Sequence, residues 1–169
     1  MPDLRTFFRT ARVNEFSGTV YRICAAPYGG NRVSMRGSFL HGARYNIRGY
    51  FGALYTSLSL ETARREIGRY FTVPPVDGFA VASITLRLSW VVDLTGRRWL
   101  RKAGIRWGQL IDARHTIPRE IGLQAWETGI EALLVPSAAD PADRNLAVFL
   151  DNQRPLWGVE LASLTAIPG

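Results

Sequence analysis

The chain has 169 residues, which fits one domain with a core of its own. Apolar residues make up 47% and charged residues 21%, a balance that excludes a disordered or fibrous chain. The net charge of +7 comes from 20 arginines and one lysine against 14 acids, so the open partners are nucleic acid, a phosphorylated small molecule and an acidic protein. Arginine offers a planar fork that grips phosphate through two bonds, although a GC-rich coding bias produces the same skew.

Cys24 is the single cysteine, so neither a disulfide framework nor a thiolate metal site is expected. Its setting, VYRICAA, reads as a strand with Cys24 as a small core residue. The opening MPDLRTFFRTARVNEF has no continuous apolar run, and no later stretch reaches membrane-spanning length. The expected location is the cytoplasm, with no membrane partner.

In chain order, residues 1–17 read as a loosely docked N-terminal arm, and residues 18–165 as the domain. Gly18 to Ala25 is a first strand. Residues 27–53 form a long Gly- and Arg-rich stretch with little periodicity, expected to be a functional loop. Leu54 to Ser57 is a short strand. Ser59 caps a helix running to about Tyr70, with Glu61 in its first turn and a core stripe of Leu60, Ala63, Ile67 and Phe71. Pro74 and Pro75 stop it. Phe79 to Leu88 alternates as a half-buried strand, and SWVVDL follows as a separate extended piece. TGRRWLRKAGIRWG reads as a short helix plus a turn. Pro118 to Gly129 is a helix capped by Thr116, Ile130 to Pro136 a buried strand, SAADPADR a turn-rich loop, Asn145 to Leu150 a strand, and WGVELASL one more. Strands outnumber two packed helices, which gives an α+β class in a single domain.

Three polar residues stand at near-even spacing: Arg44, Tyr55 and Glu66. Glu66 lies on the flank of its helix stripe, where a carboxylate looks into a cleft; the ordinary alternative is a surface pair with Arg69. Arg44, among small residues, suits a phosphate; otherwise it is a solvated loop arginine. Arg22, between Tyr21 and Ile23, needs an anionic partner or a sheet edge. Tyr55 is either a stacking platform for a flat ring or a core residue with a satisfied hydroxyl. Ser137 follows a buried strand directly, as site residues and ordinary turn starts both do. His41 and His115 are the only histidines and have no ligand partners at a metal-like spacing, so no metal is expected. There is no G-x-S-x-G, P-loop or Rossmann turn. The five tryptophans are scattered and do not alternate with arginine as a base-stacking surface does.

Together these pieces resemble the RES-domain proteins. Tyr21-Arg22-Ile23 is similar to their opening strand. Gly42-Ala43-Arg44-Tyr45-Asn46, then Gly49, resembles their G-G-R-[WY]-N-x-x-G loop. Leu54-Tyr55-Thr56-Ser57, then Ala63 and Glu66, resembles their LY-x-[SA] … A-x-x-E strand and helix. Leu134 to Ala138, then Asn145 to Phe149, resembles the closing L-x-x-P-S-A … N-L-x-x-F. The likeness spans residues 20 to 150. Departures are Ala43 for the second glycine, Ile47-Arg48 where prolines are common, and Ala139-Asp140 where a basic residue is frequent.

The resemblance implies an ADP-ribosyltransferase-like fold with mixed sheets, and NAD as substrate. Arg44, Glu66 and Ser137 fall on the three residues that name the family. Many members are toxins of bacterial toxin–antitoxin pairs, neutralised by an Xre-type antitoxin. The expected activity is cleavage of the nicotinamide–ribose bond. Glu66 would hold the ribose, Arg44 and Arg22 the pyrophosphate, and Tyr55 would stack on the nicotinamide. Ser137 and Asn145 would hydrogen-bond the dinucleotide. Transfer of ADP-ribose to a protein is the alternative. A basic nucleic-acid-binding module ranks last, since no basic helix is legible and no direct nucleic-acid contact is expected.

Overall fold

The structure, a computed structural model, describes residues 3–25, 33–72, 78–154 and 157–167. The expected helix stop at Pro74 and Pro75 and the start of the Gly-rich stretch at residues 27–32 lie outside them.

Among the described residues six strands form one mixed sheet: β1 (Val13–Ala25), β2 (Leu54–Ser57), β3 (Phe79–Asp93), β4 (Ala132–Pro136), β5 (Arg144–Val148) and β6 (Gly158–Ile167). Their order is β1-β2-β5-β4-β3-β6, and β1 also pairs with β3, so the first five close into a barrel-like ring with β6 on its outer edge. All pairings are antiparallel except β3 with β4. Alternation explains the longest strand: Ala80, Ala82, Ile84, Leu86 and Leu88 all point inward and are buried.

Among the described residues six α-helices flank the sheet: α1 (Leu4–Thr10), α2 (Arg36–His41), α3 (Leu60–Gly68), α4 (Arg97–Lys102), α5 (Trp107–Ile111) and α6 (Thr116–Glu127). One core cluster joins Leu4, Phe7, Phe8, Tyr45, Phe51, Leu100 and Ile121, between the helices and the sheet. A second joins Val20, Leu54, Ile84, Leu86, Leu146 and Val148 inside the ring. No described helix is long and apolar enough to cross a membrane.

Several expectations need correction. The described part of the expected arm, residues 3–17, is not loosely docked. Asp3 caps α1 by accepting from Thr6 N at 3.0 Å, and Leu4, Phe7 and Phe8 are buried. The first strand starts at Val13 rather than Gly18, and SWVVDL continues β3 without a break. The Gly- and Arg-rich stretch contains α2. The turn expected after α4 is present at Ala103 and Gly104, and a second short helix, α5, which was not expected, follows it. Helix α6 begins at Thr116, with His115 rather than Thr116 at its cap position and Pro118 in its first turn, where a missing N–H costs nothing. The stripe on α3 is only partly buried: Ala63 is covered, Ile67 half-covered and Phe71 exposed. That face looks into a cavity rather than a core.

Candidate active site

The sheet register gathers the polar groups. Tyr21 pairs with Ser57, and Ser57 with Asn145, so three neighbouring strands present polar side chains at one end of the ring. Ser59 follows β2 at once and caps α3 by accepting from Thr62 N at 3.0 Å. The helix therefore starts directly over that end, and its second turn carries Glu66 across it. A cavity of about 240 Å³ opens there, walled by Arg22, Arg44, Tyr55, Ser57, Glu66 and Asn145.

Glu66 is held by one oxygen. Its Oε1 accepts from Ser137 Oγ at 2.5 Å, Asn145 Nδ2 at 2.6 Å and Ala138 N at 3.2 Å. Ser57 Oγ donates to Asn145 Oδ1 at 2.8 Å, which turns the amide nitrogen of Asn145 toward Glu66. Charge-assisted bonds of this kind are short and directional. The other oxygen, Oε2, accepts no hydrogen bond among the described residues; Arg69 Nη1 stands 3.8 Å away. So the surface pair expected from the i,i+3 spacing exists, but the anchors from β5 and the β4–β5 loop set the orientation.

Arg44 is tied to α5 rather than left in solvent. Its Nη1 donates to Leu110 O at 3.1 Å and to Asp112 O at 2.7 Å. The adjoining segment is rigid for identifiable reasons. Tyr55 Oη accepts from Tyr45 N at 2.8 Å and donates to Asn46 Oδ1 at 3.0 Å. Asn46 Nδ2 in turn donates to Ser38 O at 2.8 Å and Phe51 O at 3.0 Å. Gly122 lets α6 press on this segment, since a Cβ there would stand 1.9 Å from Tyr45 O. Burial pushes both phenols, Tyr45 and Tyr55, above the ordinary tyrosine value.

Arg22 Nη1 donates to Ser34 O at 2.8 Å at the cavity wall. His115 occupies the left-handed region (φ 54°) before α6. Burial, then the nearby Arg44, Arg119 and Arg69, pushes its imidazole below the ordinary histidine value. This side of the site is rich in arginine.

Five of the six residues singled out in the sequence, Arg22, Arg44, Tyr55, Glu66 and Asn145, share the cavity wall. Ser137 does not. It is fully buried beneath Glu66, with its hydroxyl committed to that carboxylate instead of facing the cavity. Tyr55 has its hydroxyl satisfied inside the protein, as one of its two expected readings had it, and the residue also lines the cavity. Tyr21, Ser57, Ile67 and Tyr70 also line the cavity and were not singled out. Tyr21 and Ser57 sat inside quoted motifs, so strand register was the missing signal.

The family model of the RES domain matches residues 19–163. The chain belongs to the RES-domain family. This RES chain is 32% identical over 113 residues to a probable NAD(+) phosphorylase of Mycobacterium tuberculosis, a match covering 63% of the chain and 53% of that protein. It thus spans about half the length of that curated relative. It also superposes on a chain in the crystal structure of the M. tuberculosis MbcT–MbcA toxin–antitoxin complex, with a TM-score of 0.81 and 21% identity over 98% of this chain and 92% of that one. At that identity the likeness is one of fold, and it agrees with the α+β single-domain class read from the sequence.

Proposed function

We propose that this RES chain binds NAD in the cavity, cleaves the nicotinamide–ribose bond and acts as the toxin of a bacterial toxin–antitoxin pair. The observation that carries the reading is Glu66, a single carboxylate anchored through Oε1 with Oε2 left without a hydrogen bond among the described residues. The relative named as a probable NAD(+) phosphorylase and the fold shared with a chain of a toxin–antitoxin complex support it.

The chemistry matches one carboxylate. An ordinary glycosidase needs two, one of them to protonate the leaving group. Nicotinamide in NAD is a pyridinium, so it departs as a neutral ring and takes no proton. What remains is to stabilise the positive charge that develops on the ribose. A fixed, pre-oriented charge does this without reorganising during the reaction, at about 3 kcal/mol for one well-placed group. Glu66 Oε2 takes that role here. Tyr55 packs against the nicotinamide. Arg44, held by two carbonyls through Nη1, keeps its remaining N–H groups for the pyrophosphate, with Arg22 beside it. Asn145 and Ser137 position Glu66. At about 240 Å³ the cavity is smaller than the ~300–1,000 Å³ of a site for a whole drug-sized ligand, so it encloses one end of the dinucleotide.

Phosphate is the acceptor suggested by the relative's name; the products are then nicotinamide and a phosphorylated ADP-ribose. The partner is an antitoxin of the Xre helix-turn-helix type, as the family resemblance implies. The test is product analysis by mass spectrometry with NAD in phosphate buffer and in phosphate-free buffer. A phosphorylated ADP-ribose only with phosphate supports phosphorolysis, and free ADP-ribose in both supports hydrolysis. Label transferred to a lysate protein supports ADP-ribosyl transfer. An intact NAD pool under all three conditions counts against the reading.

A further inference from the structure

The positive charge is concentrated in two segments. Residues 4–12, LRTFFRTAR, carry Arg5, Arg9 and Arg12, and residues 97–106, RRWLRKAGIR, carry Arg97, Arg98, Arg101, Lys102 and Arg106; neither contains an acid. Those eight cations exceed the whole net charge of +7, and in the rest of the chain 13 cations face 14 acids. A coding bias raises arginine everywhere; it does not gather the excess in two places.

The fold brings the two segments together. Phe7 of α1 and Trp99 of α4 pack with ring centroids 5.1 Å apart, and Leu4, Phe7, Phe8 and Leu100 share one core cluster. With those apolar faces turned inward, all eight cations are exposed. Among the described residues none of them is in an ion pair. The two flanking acids are occupied: Asp3 caps α1, and Asp93 accepts from Thr95 N at 2.7 Å and from Thr95 Oγ1 at 2.6 Å. The Arg97 guanidinium lies 4.7 Å from the Trp107 ring centroid, which holds it in place. None of the eight lines the cavity. Helix α4, RRWLRK, is thus a basic helix, and it joins a second one that is far away in sequence.

We propose that this face binds the phosphate backbone of nucleic acid, without reading base sequence, separately from the cavity. The chemistry chooses among polyanions. A protein interface is anchored by apolar and aromatic side chains, whereas affinity for a phosphate backbone is dominated by cations. Among the described residues, the exposed large apolar side chains all lie outside the two segments. Seven of the eight cations are arginine, the residue that matches phosphate geometry with two bonds.

The test is fluorescence anisotropy of the whole protein with labelled 20-nucleotide DNA and RNA, single-stranded and duplex, of unrelated sequences. Each phosphate engaged adds about −0.9 to the slope of log affinity against log salt on duplex DNA, so two or more give at least a ~10-fold loss between about 50 and 200 mM NaCl. The variants Arg97→Glu/Arg98→Glu/Arg101→Glu and Arg5→Glu/Arg9→Glu are each expected to weaken binding ~10-fold or more and flatten that slope. The distant Arg64→Glu is expected to change it little. Circular dichroism confirms that each variant folds. No binding at low salt overturns the proposal, as does binding that folded charge-reversal variants leave intact. Capture by anionic phosphatidylglycerol vesicles without capture of any oligonucleotide overturns it too, and makes the face a membrane-docking surface.

Discussion

Asn145 and Glu66 lie 79 residues apart in sequence, yet Asn145 Nδ2 donates to Glu66 Oε1 at 2.6 Å. The contact follows from register, because β5 pairs with β2 and α3 springs from the end of β2. Ser57 fixes the direction of the Asn145 amide. Asn145→Asp keeps the shape and replaces the donor with a second carboxylate facing the first. The expected result is a folded protein whose NAD cleavage falls at least ~10-fold, mostly in kcat, since a misplaced charge costs transition-state stabilisation. A loss confined to KM would place Asn145 on substrate rather than on Glu66.

Ser137→Ala removes the other strong anchor. The lost bond costs about 1–2 kcal/mol of stability, measurable by urea denaturation. Activity falls because Glu66 keeps only Asn145 and backbone donors. Ser137→Thr, which keeps the hydroxyl, is expected to restore part of both. Equal activity of Ser137→Ala and wild type would show that this bond does not orient the carboxylate.

Tyr55→Phe tests the scaffold beneath the cavity. The phenol oxygen links Tyr45 N and Asn46 Oδ1, and its loss leaves two covered polar groups without their partner. A cost of about 1–3 kcal/mol is expected, or several degrees in Tm.

The same phenols set an alkaline limit. Burial raises the folded-state pKa of Tyr45 and Tyr55 above the value of about 10 that an unfolded tyrosine has. The unfolded chain therefore releases these protons first as pH rises. Their contribution is fully present below pH ~10 and is lost as pH climbs toward the folded values. Tyrosinate absorbance should show both titrating only as the protein unfolds.

Gly122→Ala is the sharpest test of packing. Its Cβ would meet the Tyr45 carbonyl, a backbone atom that cannot rotate away. Destabilisation above ~3 kcal/mol is expected, seen as insoluble or unfolded protein.

Local signals carried well from sequence to structure. Ser59 before an apolar helix, alternation from Ala80 to Leu88 and the buried run at 132–136 were all legible, because each depends on neighbours a few residues away. Glu66, Arg44 and Tyr55 were legible as candidates through motif spacing. The role of Ser137 was not: its position directly after β4 is local, but its burial under Glu66 depends on a pairing between distant segments. The packing of residues 3–17 was missed for a similar reason. Leu4, Phe7 and Phe8 make only a short stripe, and their partners come from α4 and α6. The basic face was missed because its two halves are more than eighty residues apart in the chain.

The central claim rests on Glu66. Purified protein is mixed with NAD and phosphate, and free nicotinamide is followed by chromatography, with Glu66→Gln alongside. The account predicts nicotinamide release by wild type and a drop of at least ~100-fold in the variant, the scale expected when one group that stabilises developing charge is lost. Release by a folded Glu66→Gln protein at the wild-type rate would contradict it.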